Sequence, residues 1–109
     1  MPTLHKYNPR DIQLELKPRE DSNADVWAER LFSSEDDKQF HGVWQAAPGV
    51  HANLPGQETV VILEGRATVT AQSGDSIDVT AGDLVFVDAG EVATWTVHEQ
   101  LRKVFVINT

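Results

Sequence analysis

From residue 41 onward, short apolar runs alternate with turn residues at regular spacing. The runs are rich in Val, Thr, Ile and Phe, and turn sequences such as Pro48-Gly49 and Pro55-Gly56 separate them. Many short strands at this spacing are typical of an all-β sandwich or barrel, and no helix of convincing length interrupts them. The pattern predicts eight strands, over residues 39–46, 51–53, 58–63, 67–72, 77–80, 84–87, 92–98 and 101–107.

The N-terminal part of the chain is more polar, and Asn8-Pro9 and Pro18 interrupt it. Apolar and polar residues alternate over 12–16, which predicts a strand with one face to bury. We therefore divide the chain into an N-terminal extension, residues 1–38, and a barrel, residues 39–109. The extension contains one or two strands and packs on the barrel or on a partner subunit.

Residues 26–32 fit two interpretations. Trp27 and Leu31 would share one face of a helix. The polar loop that follows instead favours a strand that forms a long-looped hairpin with residues 39–46. We favour the strand.

Two of the predicted strand segments, 84–87 and 104–107, are apolar at every position. Such segments need cover on both faces, one from the barrel interior and the other from a second layer or a partner subunit. The strand over 12–16 has no obvious partner within one small barrel, and pairing between subunits would hide its edge. We therefore expect a homodimer.

Charge and composition exclude several classes of protein. The 109 residues include nine basic and seventeen acidic side chains, a net charge of -8 without a basic patch, so we expect no nucleic-acid partner. Cysteine is absent, which leaves His, Asp and Glu as the strong metal ligands. No apolar run approaches the roughly 18 residues of a membrane span, and no signal-peptide pattern is present. We expect a cytoplasmic protein with no membrane partner.

A set of residues over roughly 41–107 carries a family likeness: Gly42-Val-Trp44, Pro48-Gly49, Glu58, Val60 to Gly65, Ala81-Gly82-Asp83, Ala89-Gly90, Thr94-Trp95 and Arg102-Lys103. This set resembles the small single-domain cupins related to ureidoglycine aminohydrolase and to the ethanolamine-utilisation cupin-like proteins. The resemblance implies an all-β jelly-roll barrel. It implies no single function, since cupins include isomerases, oxygenases, decarboxylases and sugar-binding modules.

The cupin pattern also implies two motifs around one metal ion. Its first motif, His-x-His followed by Glu and Gly, reads here as His51-x-Asn53, Glu58 and Gly65. In its second motif, Ala93 stands where a histidine is expected. If a divalent metal is bound, the resemblance implies His51, Asn53 and Glu58 as its ligands. Because two strong ligands rarely hold a first-row ion, we predict no metal cofactor, with one weakly held divalent ion as the alternative.

Strand alternation places Glu58 inside the barrel together with Val60 and Ile62. Burial without a partner would raise the pKa of this carboxyl, which makes Glu58 the candidate catalytic acid or base. The alternative is a structural glutamate satisfied by a hydroxyl, an amide or a lysine. Lys103 lies on an apolar face of the last strand and either pairs with Glu58 or extends to the rim.

The tryptophans complete the predicted site. Counting by twos from Ala93 places Trp95 on the inward face, where its ring fills volume that a metal and its histidine would occupy. Trp44 is expected in the core or in the pocket wall. The predicted ligand-binding residues are His51, Asn53, Glu58, Trp44, Trp95 and Lys103.

Two functions remain open. In the first, the barrel binds a small polar or anionic metabolite without turnover. In the second, the protein is an enzyme of small-molecule nitrogen or sugar metabolism that uses Glu58 or His51 as acid or base. The changed ligands at Asn53 and Ala93 favour the first function.

Overall fold

The chain is an all-β protein in a computed structural model that describes residues 3–109. No helix in this range is long and apolar enough to cross a membrane. The predicted strand over 26–32 is confirmed, and the helical alternative is wrong. The described residues form eight strands: β1 (Glu15–Leu16), β2 (Val26–Ser33), β3 (Gln39–Ala46), β4 (Gly49–Pro55), β5 (Glu58–Ala71), β6 (Ser76–Thr80), β7 (Leu84–Val87) and β8 (Val92–Asn108).

The strands pair antiparallel in the order β1-β2-β3-β8-β5-β6, with β4 also on β8 and β7 also on β5. β8 is long enough to pair with different strands along its two halves. Its first half pairs with β4, its second half pairs with β3, and β5 follows it along both halves. This folding of one sheet over an enclosed core is the cupin jelly roll that the resemblance implied.

Two predicted strand breaks are wrong, because β5 and β8 each run continuously where two strands were expected. Gly65 does not end β5. It adopts a φ of +89°, and the register between β5 and β8 shifts around it. A Cβ at this position would collide with the Gln100 carbonyl oxygen. Glycine thus lets β5 bend closely against β8 without leaving the sheet.

The N-terminal strand is shorter than predicted and pairs within its own chain. Of residues 12–16, only Glu15 and Leu16 enter the ladder, opposite Trp27 and Ala28 of β2. The preceding segment is held differently, because the Arg102 guanidinium donates hydrogen bonds to the carbonyl oxygens of Pro9 and Ile12. Residues of this segment therefore contact the sheet through a side chain and not through a strand ladder.

Alternation along β5 follows the prediction. Glu58, Val60 and Ile62 point inward and are buried, whereas Val61 points outward and is exposed. The interior continues with apolar side chains from the other strands, and most of the buried apolar residues form one cluster: Val26, Trp44, Ala46, Val60, Ile62, Ala67, Val69, Val79, Val85, Ala93, Trp95, Val97, Leu101 and Phe105.

The apolar segment 84–87 has one covered face in the single chain. Val85 points inward and is buried, but Leu84 is 71% and Phe86 57% exposed. Val61 of the neighbouring strand lies opposite Leu84 in the ladder and is also exposed. Residues 3–109 do not supply the cover that the sequence led us to expect for this outer face, and the homodimer stays a prediction.

Candidate functional site

A buried ion pair lies inside the barrel. Glu58 begins β5 and Lys103 lies on β8, and both side chains point inward. The Lys103 Nζ donates a hydrogen bond of 2.7 Å to Glu58 Oε1, and the two side chains are 2% and 4% exposed. Of the two arrangements that the sequence left open for Lys103, the structure shows the pair and not the extension to the rim.

Two indole rings enclose the ammonium group of Lys103. Its Nζ lies 3.8 Å from the centroid of the Trp95 ring and 4.5 Å from that of Trp44. A cation over an aromatic face is attracted by the ring quadrupole, most strongly when water is excluded. Burial lowers the pKa of Lys103, and the nearby Glu58 carboxylate opposes that shift. The ammonium is thus held by one carboxylate and two aromatic faces.

His51 is buried on β4, and both of its ring nitrogens are engaged. Its Nε2 lies 2.9 Å from the Ala47 carbonyl oxygen, which can only accept, so Nε2 carries the proton. Its Nδ1 then accepts a hydrogen bond of 2.8 Å from the Ser22 hydroxyl, which itself accepts one from Arg19. Burial lowers the pKa of His51. The imidazole is therefore neutral and has no free nitrogen.

Asn53 does not join this cluster. It is exposed, it has a φ of +58°, and it lies where the register of β4 shifts between His51 and Leu54. The cupin motif placed Asn53 beside His51, and the left-handed conformation of residue 53 breaks the strand alternation that would bring both side chains to one face. The structure brings together the other predicted residues, which we call the interior cluster: Trp44, His51, Glu58, Trp95 and Lys103.

The residues present do not fit the metal that the cupin pattern implies. Within residues 3–109, no group of three or more His, Asp or Glu side chains could hold an ion. His51 uses both nitrogens in hydrogen bonds, and Glu58 is paired with Lys103. Ala93, in place of the expected histidine, is buried and offers no donor. The described residues of the barrel interior therefore do not supply the set of donors that a first-row metal ion requires.

A second region of interest is an open cleft with a volume of about 200 Å³. Its floor is apolar and includes Ala93, Val69 and Val85, and its rim carries carboxylates and hydroxyls. Because Ala93 lines it, the cleft begins where the cupin motif would place a histidine. The polar rim residues, which we call the acidic rim, are Ser73, Asp75, Ser76, Asp88 and Glu91.

Glu91 is the most constrained carboxylate of the acidic rim. Its Oε1 accepts hydrogen bonds from the backbone N–H groups of Val92, at 3.2 Å, and Ser73, at 3.4 Å. Hydrogen bonding from Ser73 and then from the Val92 backbone lowers the pKa of Glu91 below its ordinary value. This carboxylate is therefore held in place in its charged form.

Sequence reasoning missed the acidic rim. Its members lie in or next to the two turns that precede β6 and β8, and no motif in the sequence marks them as ligand-binding residues. Gly74 and Gly90 next to them do adopt positive φ, as such turns require. The one signal that pointed here was Ala93, whose small side chain leaves space at the end of the barrel.

Comparison with known proteins places the chain in a family. The model of the EutQ-like cupin domain matches residues 33–105, and the chain belongs to that family. The resemblance to ethanolamine-utilisation cupin-like proteins is thereby confirmed. A comparison with curated protein sequences finds no match.

Solved structures with the same fold have varied functions. A protein from Thermotoga maritima described as a predicted oxalate decarboxylase superposes with a TM-score of 0.77 at 21% identity, covering 95% of this chain and 98% of that one. The EutQ protein of Clostridium difficile gives 0.67 at 18% identity, covering 79% and 69%. Ectoine synthase from P. lautus gives 0.65 at 21% identity, covering 76% and 63%. At these identities the likeness defines the fold and not the reaction.

Proposed function

We propose that this cupin binds a small hydroxylated or positively charged metabolite in the open cleft, without a metal and without turnover. The observation that carries the proposal is the combination of an apolar floor with an acidic rim at the end of the barrel. Ligand sites commonly combine apolar walls with a few polar groups that fix orientation. The volume of about 200 Å³ favours a small ligand.

The charge of the rim supports a revised choice of ligand. The sequence left a polar or an anionic metabolite open, but Asp75, Asp88 and Glu91 all border the cleft. An anion would be repelled there, and the net charge of -8 extends that repulsion to its approach. Hydroxyl groups and ammonium groups can instead donate hydrogen bonds to these carboxylates.

The geometry does not favour the alternative, an enzyme that uses Glu58 or His51 as acid or base. A general base must reach the proton that it abstracts, within hydrogen-bond distance or through one water molecule. Glu58 is sealed inside the barrel against Lys103, and His51 has no free nitrogen. No observation in the interior cluster supports turnover.

A ligand screen tests the proposal. Backbone amide signals are followed by NMR while 1,3-diaminopropane, glycerol or propionate is added to the full chain. We expect saturable shifts around the acidic rim with the diamine or the triol and none with propionate. Asp88→Asn should weaken binding of the diamine, whereas Glu35→Gln, an exposed carboxylate outside the cleft, should leave it unchanged. Binding of propionate at the cleft, or diamine shifts that Asp88→Asn does not alter, would contradict the proposal.

We also propose that the protein works as a homodimer. Val61, Leu84 and Phe86 form a contiguous exposed apolar patch on β5 and β7, and such patches commonly mark interfaces. Light scattering at micromolar concentration should give twice the mass of the chain, and Phe86→Glu should return it to a monomer. A monomer mass for the wild type would defeat this proposal.

A further inference from the structure

The charge of Glu58 must be balanced inside the barrel. Among the described residues, Glu58 and Lys103 are the charged side chains that are buried, and His51 beside them is neutral. In the cupin pattern this glutamate is a ligand of a metal cation. Here the hydrogen bond from Lys103 supplies the positive charge. An uncompensated carboxylate at this depth would be strongly unfavourable.

The surroundings of the Lys103 ammonium are those of a binding site for an organic cation. Trp95 and Trp44 present ring faces to Nζ at 3.8 and 4.5 Å, and their ring centroids are 6.3 Å apart. The Glu58 carboxylate completes the enclosure at 2.7 Å. Aromatic faces with a carboxylate recognise ammonium groups, whereas a first-row metal requires several nitrogen or oxygen donors.

We infer that the barrel interior is an ammonium-binding cage, formed by Glu58, Trp44 and Trp95, whose resident cation is the side chain of Lys103. Lys103 thus stands where the cupin pattern implies a metal ion, and its ammonium group balances the charge of Glu58 without a bound ion. The inference concerns a site separate from the cleft, and it does not depend on the proposed function. Its consequence is that removal of the lysine side chain should leave a vacant cage selective for primary ammonium ions.

The test is chemical rescue of Lys103→Ala. The substitution deletes three methylene groups after Cβ and the ammonium group, and n-propylammonium supplies the same number of carbons and the same charge. We expect the variant to melt well below the wild type, and n-propylammonium at millimolar concentration to raise its melting temperature in a saturable way. The wild type, which keeps the same cleft but a filled cage, reports any contribution of amine binding elsewhere.

Four controls separate a cage from simple cavity filling. 1-Propanol has the same carbon chain without the charge, and tetramethylammonium has the charge without an N–H donor. Both should rescue less than n-propylammonium. Manganese and zinc ions should give no rescue. In the Lys103→Ala/Glu58→Gln double variant the advantage of n-propylammonium over 1-propanol should disappear.

Equal rescue by 1-propanol, or an amine advantage that survives Glu58→Gln, would overturn the inference. If Lys103→Ala does not fold, Lys103→Met keeps an unbranched stem of the same length up to Cε and removes only the charged ammonium group. Glu58→Gln/Lys103→Met should then melt at a higher temperature than Lys103→Met alone, because no buried charge is left unpaired. A double variant that melts as low as the sum of the two single effects would also overturn the inference.

Discussion

The interior cluster and the acidic rim hold carboxylates in opposite environments. In the interior, Glu58 is paired with a buried cation, and no buried side-chain nitrogen or oxygen of the described residues lacks a hydrogen-bond partner. At the rim, Asp75 and Asp88 are exposed, and no side chain within residues 3–109 pairs with them. The difference shows which region can respond to a ligand. The polar side chains of the interior cluster are already hydrogen-bonded to protein groups, whereas the carboxylates of Asp75 and Asp88 at the rim remain available.

The largest expected effect comes from making the same chemical change in both regions. Glu58→Gln keeps the shape of the side chain but strands the Lys103 ammonium, which should cost about 3–5 kcal/mol of unfolding free energy. Asp88→Asn at the rim should change that free energy by less than about 0.5 kcal/mol. Urea denaturation of both variants measures the difference. Similar costs for the two variants would show that the two regions are not distinct.

A smaller effect is expected from restoring the motif histidines. Ala93→His places an imidazole between the interior cluster and the cleft, and overpacking at this buried position should cost about 1–3 kcal/mol. The Asn53→His/Ala93→His double variant should gain no affinity for manganese, nickel or zinc, because residue 53 is exposed and Glu58 stays paired with Lys103. Titration calorimetry checks this. One equivalent of tightly bound metal per chain would show that Asn53 has been misplaced.

The third effect is a pH dependence from His51. Its pKa in the folded state is lowered by burial from the ordinary value of 6.5, so the unfolded chain takes up the proton first. The contribution of His51 to the free energy of unfolding is therefore fully present above pH 6.5. It is lost as the pH falls through the lowered pKa of the folded state, with a limiting slope of about 1.4 kcal/mol per pH unit. Urea midpoints between pH 8 and 5.5 measure the slope.

Two histidine variants test whether the slope of stability against pH arises from His51. It should be reduced in His51→Asn, which removes the titrating group. It should be retained in His98→Gln, because that variant leaves the buried His51 in place. A wild-type stability that rises on acidification over this range would contradict the neutral, buried His51 of the structure.

Much of the interior could be predicted from strand periodicity. Alternation from Glu58 correctly predicted which residues of β5 point inward. Counting by twos from Ala93 correctly predicted that Trp95 points inward. Periodicity succeeds where a strand is regular and one face is buried, because a slip by one residue would expose the whole apolar face. The pair of Glu58 with Lys103 was one of two options, since charge and position alone do not determine where a long side chain ends.

The rest depended on features that have no local pattern. Asn53 lies outside the interior cluster because its own left-handed backbone conformation changes the side of the strand to which the side chain points. The partner of His51, Ser22, lies 29 residues earlier in the chain. The acidic rim is assembled from two separate turns and the first residue of β6, and each turn on its own has an ordinary turn sequence.

Nitrogen NMR at neutral pH observes the Lys103 Nζ directly and so tests whether a charged lysine takes the place of a metal inside this cupin. We expect a protonated ammonium that exchanges slowly with water, is absent from Lys103→Met, and contacts indole protons of Trp44 and Trp95. The exposed Lys38 should exchange rapidly in the same sample. A neutral amine at Lys103, or an ammonium that exchanges as fast as that of Lys38, would contradict the account.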